Sequence, residues 1–180
     1  MDHSQAATRA ADPAQADPAW QPSTTRQVVW LVGLLAIPSL AAAVGGLVTS
    51  QSVDGWYQQL ARPSWTPPGW LFGPVWTLLY FLMGMAAWLV WRSGGWNATR
   101  GALGWYAVQL VLNVLWSGIF FGLEQPGLAA GEIVLLWLAI ATTAAHFWRH
   151  SRWGAVLMLP YLGWTLFATA LNFAIWRMNV

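Results

Sequence analysis

Two stripes of polar and flat side chains interrupt an otherwise apolar sequence. Gln109, Asn113 and Trp116 follow one another at i, i+4 and i+7, so on a helix they share a face. Two amides and an indole N–H on one stripe can hydrogen-bond a polar guest. They can equally bond to a neighbouring helix and hold it in place. Tyr161, Trp164, Ala168 and Asn172 recur at three- or four-residue intervals and form a second stripe. The small Ala168 leaves room beside large flat groups, which a planar aromatic guest needs; ordinary core packing uses the same pattern. Glu132 lies about one turn into an apolar segment, close enough to its start to sit at a membrane interface and favour the helix dipole. His146, near Arg149 and His150, reads as interfacial too.

Other chemistries lack their residues. There is no cysteine, which removes disulfides and thiolate chemistry. His3, His146 and His150 are too few and too scattered for a metal site. No nucleophile, base and orienting acid share a plausible face, and there is no phosphate-binding glycine loop, which argues against a hydrolase or an ATP-driven pump. The net charge of +2 is small and dispersed, so no nucleic-acid surface is expected.

The elements that must carry these stripes are membrane helices. Of 180 residues, 57% are hydrophobic and 8% charged, against about a quarter charged in soluble domains. Apolar stretches cover 28–49, 71–91, 101–123, 127–148 and 153–176. At about 1.5 Å rise per residue each reaches roughly 30 Å, enough to cross a hydrocarbon core. Backbone groups in lipid must bond internally, so the spacing predicts an all-α bundle of five transmembrane helices. Residues 1–25, rich in Asp, Pro and Ala, read as a disordered tail ahead of the bundle at 26–180. The long connection at 50–70 holds three prolines and Trp56, Trp65 and Trp70, and reads as a folded lid. Pro38, Pro74 and Pro160 lie inside helices and bend them. Gly118 and Gly122 form a GxxxG pattern and a candidate dimer face. Of the eight arginines, six fall on the side of the N-terminus and two on the other, which predicts a cytoplasmic N-terminus and an outward lid.

In order along the chain come Trp56-Tyr57, Arg62-Pro63-Ser64-Trp65-Thr66-Pro67-Pro68 and Gly73-Pro74-Val75-Trp76-Thr77-Leu78-Leu79-Tyr80. Then come Gln109 to Trp116, Phe120-Phe121-Gly122, Pro160-Tyr161-Leu162-Gly163-Trp164, and Phe167 to Phe173 with Trp176-Arg177. Together these motifs, over about 29–179, resemble the TspO/MBR family, the translocator proteins or peripheral-type benzodiazepine receptors. The resemblance implies a five-helix bundle with a cavity open toward the first loop. It implies a porphyrin ligand, protoporphyrin IX or heme-like, with no cofactor required. Further implied partners are sterol-like or benzodiazepine-site ligands, membrane lipid and a second copy of the chain.

By motif, the implied cavity residues are Tyr57, Trp76, Asn113, Trp164 and Ala168, with Trp65, Pro67 and Pro68 in the lid; the two stripes add Trp116 and Asn172. Porphyrin binding for transport, buffering or signalling is the expected function. One alternative is light-dependent porphyrin breakdown with Trp76 and Trp164 as the reactive pair. Another is a scaffold or small-solute transporter. Phe173 stands where the animal sterol motif has a tyrosine, which lowers the expectation of tight sterol binding.

Overall fold

The structure, a computed structural model, describes residues 20–53 and 55–180. Five α-helices carry the described chain: α1 Thr24–Val53, α2 Trp56–Gln59, α3 Gly69–Ser117, α4 Pro126–His150 and α5 Arg152–Met178. A wider turn of π type, Gly118–Gly122, continues α3. No strand occurs among the described residues. This is the all-α membrane bundle that the apolar stretches predict.

The 49 residues of α3 would measure about 73 Å as one rod, more than twice a hydrocarbon core. It does not run straight. Gly95 has φ 71° and ψ −176°, a backbone region essentially closed to any residue with a Cβ. The Tyr80 hydroxyl donates to Asn113 and the Gln109 amide approaches the Met83 sulfur. As one partner's number rises by three, the other's falls by four, so the two halves of α3 run antiparallel. The fold-back at Gly95 turns one long helix into two crossings and brings the total to five. The expected connection between these crossings, residues 92–100, is therefore helical apart from that one break. Arg92 and Arg100 mark where apolarity stops, but arginine is a good helix former and the backbone coils past them.

The turn is locked by an aromatic cluster. Trp20 Nε1 donates to the Arg92 carbonyl at 3.2 Å, and the Trp20 ring meets Trp91 edge-on at 5.8 Å. A Cβ on Gly95 would lie 2.6 Å from that ring. Trp30 stacks on Trp91 at 5.0 Å, and Arg26 lies 5.0 Å over Trp20. Residues 20–25, expected in a disordered tail, are thus packed against the bundle or already helical, because Trp20 has an apolar site to fill. Residues 1–19 of that tail lie outside the described residues.

The core lies between both halves of α3 and helices α4 and α5, where Met83, Val90, Trp91, Ile140, Phe147, Met158 and Tyr161 are fully buried. Helix α1 packs along α3 and shows the rest of its surface to lipid, with Val28, Val32, Ile37, Leu40 and Leu47 exposed. Pro38 cannot donate to the Leu34 carbonyl four residues earlier. That carbonyl lies 2.9 Å from where a Cβ on Gly84 would be, so only glycine lets α3 approach α1 here.

Glu132 is enclosed by protein. It is 7% exposed, and neither carboxyl oxygen has a hydrogen-bond partner among the described residues. Ala129 and Ala130 just before it are buried as well, so this face of α4 is covered by protein. A buried polar group without partners costs about 1–3 kcal/mol. Glu132→Leu is therefore expected to raise thermal stability in detergent by about that amount. An unchanged or lower Tm would show that the carboxyl is satisfied.

Candidate functional site

A cavity of about 690 Å³ opens between α1, α2, the first half of α3, the π-type turn and α5. That volume falls within the range of small-molecule sites, about 300–1,000 Å³. Its largest lining side chains are aromatic. Tyr57, Phe72, Trp76, Tyr80, Phe81, Trp116, Phe120, Phe121 and Trp164 all line it.

Each wall has its own support. Trp76 and Tyr80, one turn apart in α3, stack at 5.4 Å, and Trp76 meets Tyr161 edge-on at 6.1 Å. Trp164 is braced by Phe72 at 5.9 Å and by Phe167 at 5.5 Å. Trp116 Nε1 donates to Asn172 Oδ1 at 3.0 Å, while the Asn172 amide donates to the Pro126 carbonyl at 2.8 Å. These bonds tie the second half of α3, the start of α4 and α5 together beside the cavity. The π-type turn presents the consecutive Phe120 and Phe121 to the same space. Such turns often serve functional sites.

The lid is anchored at several points. Tyr57 of α2 packs on Phe120 and Phe121. Burial pushes the Tyr57 phenol above its ordinary pKa, and the Arg62 guanidinium pulls it partly back. Its hydroxyl is therefore a neutral group at physiological pH. Asn179 at the end of α5 accepts from the Ala61 backbone N–H at 3.0 Å and donates to the Ala61 carbonyl at 2.9 Å. This paired latch fixes the chain just before Arg62. Trp65 leans edge-on against Phe167 at 5.7 Å.

Of the residues singled out in the sequence, Tyr57, Pro67, Trp76, Trp116, Trp164, Ala168 and Asn172 line the cavity. Trp65, Pro68 and Asn113 are not among its lining residues. Asn113 is 1% exposed and lies behind the wall. Its carbonyl oxygen accepts from the Tyr80 hydroxyl at 2.6 Å, and its amide donates to the Tyr161 hydroxyl at 3.0 Å. The i, i+4, i+7 stripe is thus divided between two duties: Gln109 and Asn113 pack between helices, and Trp116 reaches the cavity. Gly122 makes its close contact within the chain, with Val48 of α1 3.2 Å from a hypothetical Cβ, while Gly118 has open space beside it.

Spacing did not single out several lining residues: Ser39, Gly45, Thr49, Phe72, Tyr80 and Arg62. The α1 residues carry no signal beyond being small in an apolar helix. Arg62 was legible as a charge at a membrane boundary but not as part of a site.

Comparison with known proteins accords with this arrangement. The TspO/MBR family profile matches residues 34–177. The tryptophan-rich protein TspO of Archaeoglobus fulgidus is 45% identical over 149 residues, covering 83% of this chain and 95% of that protein. The human translocator protein is 38% identical over 164 residues, covering 90% and 92%. The tryptophan-rich sensory protein of Cereibacter sphaeroides is 40% identical over 141 residues, covering 77% and 87%. With its aromatic-walled cavity inside a bundle of apolar helices, the chain belongs to the TspO/MBR family of multi-pass membrane proteins.

Proposed function

We propose that the protein binds a porphyrin-like planar tetrapyrrole in the aromatic cavity, for transport, buffering or signalling. The observation that carries this reading is the placing of Trp76, Trp116 and Trp164 around one space of about 690 Å³. Flat rings on several sides favour a flat guest by stacking and edge contacts. The small Ala168 leaves room on the α5 wall. Asn113 serves this site indirectly, by holding Tyr80 in the wall. The arginine distribution orients the N-terminus to the cytoplasm and the lid to the far side.

A second reading, light-driven oxidation of the bound tetrapyrrole, is favoured by one observation. The two tryptophans that such chemistry would use, Trp76 and Trp164, both border the cavity. One experiment tests both readings: titrate purified protein with protoporphyrin IX in the dark and under illumination. Saturable quenching of tryptophan fluorescence in the dark supports binding, and its absence sinks it. Loss of porphyrin absorption with a new product under light supports the second reading. If the Trp76→Phe, Trp164→Phe double variant turns over porphyrin as fast as wild type, those residues do not do the chemistry.

A further inference from the structure

The cavity is lined by aromatic, small and neutral polar side chains, and its charge sits at one place. Among its described lining residues Arg62 is the single charged side chain. Among the described residues the groups against its guanidinium are neutral: the Gln58 carboxamide oxygen accepts from it at 3.2 Å, and the Tyr57 ring lies 5.0 Å from its centre. Arginine carries five N–H donors in a rigid fork shaped for a carboxylate. Among the described residues its one side-chain hydrogen bond, to Gln58, leaves most of that fork unused. The group is half-buried rather than free in water, and its backbone neighbour Ala61 is latched at both N–H and C=O to Asn179. A cation so placed does not wander with a mobile loop. It stands at the lid end of a cavity whose other walls offer rings and small groups.

We propose that Arg62 is the specificity-determining residue of this cavity, selecting amphipathic guests that have a flat apolar body and a carboxylate at one end. The inference deepens the tetrapyrrole reading and rests on the same cavity. The body enters among Trp76, Trp116 and Trp164, and the carboxylate stays at the lid, where it accepts a forked pair of hydrogen bonds from Arg62. The Gln58 contact and the Tyr57 ring hold the guanidinium plane while the Asn179 latch holds its backbone. Charge-assisted hydrogen bonds of this kind are about twice as strong as neutral ones. A guest whose acid is masked as an ester loses that contact while keeping its stacking.

The test compares acid and ester forms of the same flat body in a neutral detergent, which excludes lipid phosphate as a competing anion. Protoporphyrin IX and its dimethyl ester form one pair, and pyrenebutyric acid and its methyl ester form the second. Wild type is expected to bind each acid at least about tenfold more tightly than its ester, and added salt should shrink that preference. Arg62→Gln is expected to bring the ratio to about one while leaving ester affinity and Tm unchanged. Arg62→Lys, a cation without the fork, should keep part of the preference. Equal affinity for acid and ester in wild type, in both pairs, would overturn the proposal. So would Arg62→Gln weakening acid and ester alike. If both porphyrins are refused but pyrenebutyric acid is preferred over its ester, Arg62 selects acids and the tetrapyrrole reading fails by itself.

Discussion

Replacing Trp76 and Trp164 together by leucine is expected to weaken protoporphyrin IX binding by at least about a hundredfold. Leucine keeps the apolar character of the walls but not the flat face. Aromatic pairs are worth about 0.5–1.5 kcal/mol each beyond the area they bury. Losing one such contact on each side, with some buried area, comes to roughly 3 kcal/mol, or two factors of ten. Both side chains are half-buried, so the fold survives the change, and circular dichroism with a Tm in detergent checks that it does. Isothermal titration, which does not depend on tryptophan emission, reads the affinity. Two fully folded leucine replacements with wild-type affinity would move the guest elsewhere.

Asn113→Ala is expected to do the opposite: lower stability and spare binding. Its amide joins the Tyr80 and Tyr161 hydroxyls, and both rings are buried. Hydrogen bonds between membrane helices average about 0.6 kcal/mol and reach about 1.7, so losing two costs about 1–3 kcal/mol. The amide does not line the cavity, so the dissociation constant for protoporphyrin IX should change by no more than about threefold. A large loss of affinity at unchanged Tm would mean that the amide reaches the guest directly.

This divergence between Trp116 and Asn113 shows what a helical stripe can and cannot convey. Spacing placed Gln109, Asn113 and Trp116 on one face, and they do share it. A face about 10 Å long crosses from packed interior to cavity wall, though, and periodicity carries no information about where that border falls. The partner of Asn113 is Tyr80, on the other half of a helix that folds back at Gly95. One glycine among 17 takes that turn. Ser93-Gly94-Gly95 is a turn signal by residue type, but it does not say that the chain stays helical on both sides of a single break. Arg92 and Arg100 told where lipid ends, which is a statement about solvent rather than about backbone.

Glu132 shows a related limit. Distance from the start of an apolar run speaks to depth in the membrane and carries no information about how much protein covers the side chain. Here Ala129 is already packed beside Leu171 and Ile175 when α4 starts. The aromatic walls were more legible, because Trp76 and Trp164 carry bulk that the bundle must place. Arg62 was counted for topology, and its role as the cavity's charged group depends on the latch of its neighbour Ala61 to Asn179, 118 residues further along the chain than Ala61.

The central claim is that the space beside Ala168 holds the guest. Ala168→Phe fills that space from the α5 wall while leaving the braced rings of Trp76 and Trp164 in place. The decisive measurement is the dissociation constant of protoporphyrin IX for wild type and for this variant, at matched Tm. Saturable binding by wild type with loss of at least about tenfold in the variant is the predicted result. Wild-type affinity in a folded Ala168→Phe protein would contradict it, because no guest could then occupy the cavity between α3 and α5.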